Sequence, residues 1–128
     1  METILSIEEI EEGGMSGYVV KTNKQEIKLL IDSDQTCCEH WGYFWCNLIT
    51  DDFVGSELLN VTQVDNCLNE RIFKNEFGSS GGEVDDTLFI NLETSVGNLQ
   101  FVLFNSHNGY YGHKVLVNST WVTIEETL

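Results

Sequence analysis

The sequence predicts an α+β, mainly β fold: a single antiparallel, twisted sheet of about six to seven strands, covered by a short helix or an irregular layer. Three observations predict it. Short runs rich in β-branched and aromatic residues recur, such as TLFINLE at 87–93 and LQFVLF at 99–104. Clusters of Gly, Asn, Asp and Ser separate those runs; with 11 glycines and no proline, these residues must make the turns. Little of the chain carries a helical period, and no internal repeat is visible.

Residues 1–14 form an acidic segment with Glu2, Glu8, Glu9, Glu11 and Glu12 and no base. Ile4, Ile7 and Ile10 recur every third residue, which suits a short amphipathic helix or a strand edge, and Gly13-Gly14 ends it. Residues 16–22, with Tyr18-Val19-Val20, read as a strand, and residues 25–32 read as its hairpin partner across Asn23-Lys24. In that partner Ile27, Leu29 and Ile31 share one face. Residues 33–45 (SDQTCCEHWGYFW) mix polar, cysteine and aromatic residues without a clear period, so an irregular or partly extended segment is expected. Asp51-Asp52 after Thr50 opens a short helical turn that Gly55 stops.

Residues 57–65 then read as strand, and 66–75 as a strand end or a short helix. Residues 74–86 (KNEFGSSGGEVDD) form a flexible loop. Neither flank of that loop is large enough for a comfortable independent domain, so 1–128 is expected to be a single domain. The strands at 87–93 and 99–104 follow, joined by a turn at 95–98. A turn at 105–109 leads to the last strands, within 110–117 and 121–124.

Charge limits the function classes. The chain carries 21 Asp and Glu against 6 Lys and Arg, a formal net charge of −15. That opposes direct phosphate binding by a basic patch and docking on anionic lipid. No run approaches the ~18 apolar residues of a membrane span. The N-terminus lacks the basic start of a secretion signal, so the expected location is the cytoplasm. There the four cysteines, Cys37, Cys38, Cys46 and Cys67, are read as reduced thiols.

Two motifs are specific: Asp34-Gln35-Thr36-Cys37-Cys38-Glu39 and Asn105-Ser106-His107-Asn108-Gly109-Tyr110-Tyr111-Gly112-His113, with Phe53-Val54-Gly55-Ser56-Glu57-Leu58-Leu59 between them. Together they resemble an uncharacterised family of small bacteriophage and prophage proteins, a domain of unknown function, over roughly residues 16–117. The resemblance implies a phage origin and a small α+β or mainly β fold, and it implies no activity. In that family a serine follows the paired tyrosines, where this chain has Gly112 and His113, so no role for the histidine carries over.

Candidate chemistry is sparse. Cys37, Cys38, His40, His107 and His113 are weak metal candidates, because the spacings of structural zinc sites are missing; His107 and His113, six apart, come nearest. A thiolate–imidazole pair from Cys37 or Cys38 and a histidine would sit in a field that raises thiol pKa values. There is no nucleophile elbow, phosphate loop or dinucleotide fingerprint, so neither enzymatic activity nor a cofactor is expected. Trp41, Tyr43 and Trp45 with Asn108, Tyr110 and Tyr111 form the alternative, a ligand-binding set suited to a small molecule such as a nucleotide immune signal.

The acidic surface is the leading clue. Fifteen charges match about 25 Å of duplex at one charge per ~1.7 Å, close to the width of a domain with a radius of gyration of ~14 Å. The leading expectation is a phage-encoded, anti-CRISPR-like inhibitor that covers a basic surface on a host defence or nucleic-acid-handling protein. Its contact residues would be Asp51, Asp52, Glu57, Glu83, Asp85 and Asp86. An exposed edge strand and the aromatic patch would also permit a homodimer.

Overall fold

The structure, a computed structural model, describes residues 1–33, 40–47, 49–64, 86–106 and 113–128; the side chains of His40, Asp86 and Ser106 lie outside that description. Nine strands are described: β1 (Ile4–Glu12), β2 (Met15–Thr22), β3 (Glu26–Asp32), β4 (His40–Trp45), β5 (Leu58–Val64), β6 (Asp86–Thr94), β7 (Gly97–Ser106), β8 (Lys114–Asn118) and β9 (Thr123–Thr127). They form two antiparallel sheets, a five-stranded one in the order β1-β2-β3-β8-β9 and a four-stranded one in the order β4-β7-β6-β5.

The expected single sheet with a covering helix is therefore corrected to two sheets that cover each other. Among the described residues the only helical element is the 3-10 turn Asp51–Phe53. The physical reason lies in the strand period. Val20, Ile27, Leu29, Ile31, Val115 and Val117 line the inner face of one sheet, and Val61, Leu88, Ile90, Leu92, Leu99, Phe101 and Leu103 line that of the other, in one buried core. Each apolar face is the other's cover, so no helix is needed. The covering element is itself a sheet.

Local sequence explains the strand joins. Gly13 and Gly14 take φ of 58° and 77° and turn β1 into β2, a conformation open to glycine. Asn23-Lys24 lies in the expected hairpin, where Thr22 Oγ1 accepts from the backbone N–H groups of Lys24 and Gln25. The turn at Asp51 forms as expected and ends at Gly55, whose φ is 91°. Gly17 serves a close approach instead, because a Cβ there would meet the carbonyl oxygen of Leu29 far inside van der Waals contact.

Two segments take the extended form among the alternatives expected of them. The acidic segment is an edge strand rather than a helix, and the three-residue spacing of its first two isoleucines has a cause. A register shift between Ile4 and Ser6 inserts Leu5 as an extra residue, so Ile4 and Ile7 both reach the core although three apart. The other is β4, a regular strand paired with β7, which makes the extended part of the segment expected to be irregular or partly extended. Its outward Phe44 joins Cys46, Val102 and Phe104 in a second buried cluster on the far face of the four-stranded sheet, so β4 is apolar on both faces and shows no alternation. Residues 66–75 and most of the 74–86 loop lie outside the described residues.

The sheets meet at a corner. Thr3 and Glu57 form an antiparallel bridge, Ile4 N donates to Ser56 O at 2.9 Å, and Leu58 N donates to Glu2 O at 2.7 Å. Further along β1, Glu9 accepts a bond from Tyr43 of β4. β1 thus crosses the four-stranded sheet from one edge strand, β5, to the other, β4.

Candidate functional site

Three of the acidic candidates, Asp51, Asp52 and Glu57, fall at this corner, while Asp86 stands at the other end of β6. Asp51 and Asp52 occupy the 3-10 turn with exposed side chains; their backbone is held by Phe53 N donating to Thr50 O and Val54 N to Asp51 O. Glu57 stands just before β5 and is half-buried. Its N–H donates to Ser95 Oγ at 3.0 Å, and its carbonyl accepts from Ser95 N at 3.0 Å. The sequence-adjacent pair and Glu57 therefore share one side of the molecule, fixed to β1 and to the β6–β7 turn. Asp86 opens β6 opposite Asn105. Glu83 and Asp85, and the side chain of Asp86, lie outside the described residues.

Other acids run along β1. Glu8 and Glu12 meet Lys21 and Lys28 at 3.3 and 2.7 Å across the outer face of the five-stranded sheet. Those side chains are about a third to a half exposed, so the contacts contribute little to stability. They do reduce the free negative charge there. Among the described residues, Asp51, Asp52 and Glu57 have no such lysine beside them.

Trp41, Tyr43 and Trp45 occupy alternate positions of β4 and pack against the core. Trp41 stacks on His113, with ring centroids 5.0 Å apart and planes at 26°. Trp45 lies 4.6 Å from Phe101 and meets Tyr18 edge-on at 5.4 Å. The Tyr43 hydroxyl donates to Glu9 Oε2 at 2.7 Å. Burial of the ring, then the Glu9 bond and charge, hold the Tyr43 phenol well above its usual pKa. A shallow hollow of about 360 Å³ beside it is lined by Glu9, Ile10, Glu11, Ser16 and Tyr43. Asn108, Tyr110 and Tyr111 lie outside the described residues.

The metal candidates do not assemble within what is described. His113 is fully buried, and its Nδ1 lies 2.7 Å from the Asp32 carbonyl oxygen; since a carbonyl can only accept, that nitrogen carries the proton. Cys46 is buried in the second apolar cluster. Among the described residues no group of three or more His, Cys, Asp or Glu side chains could hold a metal ion. Cys37, Cys38, Cys67, His107 and the His40 side chain lie outside them. Among the described residues no helix is long and apolar enough to cross a membrane.

Sequence reasoning missed two polar contacts. Glu9 reaches Tyr43, 34 residues away in sequence, and buried Glu2 accepts from Thr22 Oγ1 and Gln25 Nε2, both at 2.8 Å. No spacing signals either contact, because each depends on how the strands register. Gln25 extends the second network by donating to Thr120 Oγ1 at 3.0 Å and accepting from Thr120 N at 2.9 Å.

A family model of a domain of unknown function (DUF7448) matches residues 2–117. No curated protein and no solved structure matches the chain significantly.

Proposed function

We propose that this chain, which belongs to the family of the domain of unknown function DUF7448, is a non-enzymatic binding protein that sets its carboxylates against a basic protein surface. The observation that carries the reading is the corner of Asp51, Asp52 and Glu57. These three carboxylates stand on the only described segment between β4 and β5, which holds no Lys or Arg, while the described lysine contacts go to Glu8 and Glu12 on β1. An acidic surface of this kind gains affinity from Lys and Arg, associates quickly by steering, and weakens as salt rises.

The resemblance to small phage and prophage proteins gives the proposal its setting, the cytoplasm of a host cell. The partner there is a host defence or nucleic-acid-handling protein, and the chain acts as an inhibitor, in the manner of an anti-CRISPR or a nucleic-acid mimic. The rings of Trp41, Tyr43 and Trp45 are engaged in packing. Acidic contact is therefore carried forward in preference to a nucleotide sponge. A pull-down from host lysate at low and at high salt tests the proposal. Basic partners recovered at low salt and lost at high salt support it, and recovery of none at low salt overturns it.

A further inference from the structure

The corner that carries the three carboxylates also exposes apolar side chains, and two of them stand at strand irregularities. β1 shifts register between Ile4 and Ser6, and β5 shifts between Leu58 and Asn60. The extra residue is a leucine each time, Leu5 and Leu59, and their exposures are 56% and 53%. A bulge re-aims a side chain relative to its neighbours. Here it permits Ile4 and Leu58 to stay in the core at 0% and 3% exposure while the adjacent leucine faces solvent.

Both leucines lie on one surface. The Thr3–Glu57 bridge is antiparallel, and the flanking bonds pair Ile4 with Ser56 and Leu58 with Glu2. Strand alternation then puts Thr3, Leu5, Glu57 and Leu59 on the outward face, because Ile4, Ser56 and Leu58 are buried. Ser95, bonded to the backbone of Glu57, brings its neighbour Val96, 62% exposed, to the same edge. Gly55 N donates to Ile4 O, which sets the Asp51-Asp52 turn beside Leu5. Because the pairing is antiparallel, Leu5 and Leu59 lie on either side of the Thr3–Glu57 bridge, so the surface interleaves exposed aliphatic side chains with carboxylates.

We propose that this corner is the docking surface, and that it takes a protein surface in which aliphatic side chains stand among lysine or arginine. The inference rests on the acidic-binding reading above and narrows it to one place and one kind of partner. Charge complementarity chooses the occupant. Two copies of this chain meeting here would press Asp51, Asp52 and Glu57 against their own equivalents, on chains that each carry −15. A purely basic surface would leave the leucines against charge. A surface that carries both basic and aliphatic side chains satisfies both.

Fluorescence anisotropy with three labelled probes of equal length tests this: a helical leucine–lysine peptide with its leucines on one face, a lysine homopolymer, and a leucine–glutamate peptide. The leucine–lysine probe should bind about tenfold or more tighter than the homopolymer. The double variant Leu5→Ser/Leu59→Ser should erase that difference by weakening the leucine–lysine probe to the level of the homopolymer, with thermal unfolding showing that the variant remains folded. Asp51→Lys/Asp52→Lys should weaken both basic probes. Equal binding of the two basic probes, or a preference that survives the serine variants, overturns the docking corner and leaves the acidic reading standing. Failure of both basic probes overturns the acidic reading itself. Tight binding of the leucine–glutamate probe, or a dimer in sedimentation that the serine variants abolish, overturns the basic partner in favour of an apolar one or a second copy.

Discussion

Tyr43 and Glu9 tie the two sheets together where β4 lies under β1: the phenol donates a 2.7 Å hydrogen bond to the Glu9 carboxylate from a ring packed on Tyr18 and Phe101. The bond needs the neutral phenol, and burial with the nearby carboxylate keeps the Tyr43 pKa above the ordinary tyrosine value of about 10. A tyrosine whose folded pKa is raised contributes stability that is present below the unfolded value and is lost as pH rises toward the folded one. Stability should therefore fall above about pH 10, with the ultraviolet absorbance step of this phenol delayed until unfolding. Tyr43→Phe should cost about 1 kcal/mol at neutral pH, since Glu9 is exposed, and should flatten the alkaline loss in urea titrations. An alkaline limb identical to that of the wild type would remove Tyr43 as its cause.

Gly17 and Gly13 separate two reasons for glycine. At Gly17 any Cβ strikes the Leu29 carbonyl, a backbone atom that cannot swing away, so Gly17→Ala should destabilise by roughly 3 kcal/mol. At Gly13 a Cβ meets nothing within 4 Å, and only the φ of +58° resists it, so Gly13→Ala should cost about 1 kcal/mol. Urea midpoints of the two variants give the comparison, and the reverse order would contradict the strand approach.

Much of the strand order was legible because period-two patterns are local. Ile27, Leu29 and Ile31 in β3 alternate with Lys28 and Leu30, and the Asn23-Lys24 hairpin follows from its neighbours. β4 was illegible for an equally local reason. Its two faces both pack, Trp45 in the core and Phe44 in the outer cluster, so no alternation marks it as a strand. The isoleucine spacing in β1 leaves helix and strand edge both open because the bulge at Leu5 displaces the strand period. Which strands share a sheet cannot be read from either period, and that is why two sheets read as one in the sequence. At the site, the Asp51-Asp52 turn was legible from its residues, but its neighbours were not, because the Thr3–Glu57 bridge joins segments far apart in sequence.

His113 is held on three sides: its ring stacks on Trp41, its Nδ1 donates to the Asp32 carbonyl at 2.7 Å, and its backbone exchanges two 2.8 Å bonds with Leu128. Only the first two depend on the side chain. His113→Ala should leave the backbone pairing but open a cavity beside Trp41, costing about 2–4 kcal/mol. Near-ultraviolet circular dichroism reports the Trp41 environment directly. A change in stability without a change in that spectrum would show that the stack is not what His113 supplies.

Charge reversal at the corner separates binding from folding. Asp51 and Asp52 are exposed, and among the described residues no lysine stands beside them, so their removal breaks no described ion pair. On a chain with a net charge of −15, replacing both with lysine raises the charge by four and relieves self-repulsion. Asp51→Lys/Asp52→Lys should therefore leave unfolding free energy within about 0.5 kcal/mol of wild type, or slightly raise it. Binding to a basic partner should weaken, and the slope of log affinity against log salt should become shallower, because fewer charge contacts form on association. Reversal of Asp85 and Asp86 should do the same only if that stretch shares the interface. A salt slope unchanged by the Asp51/Asp52 reversal would move the contact away from the corner, whatever happens to stability.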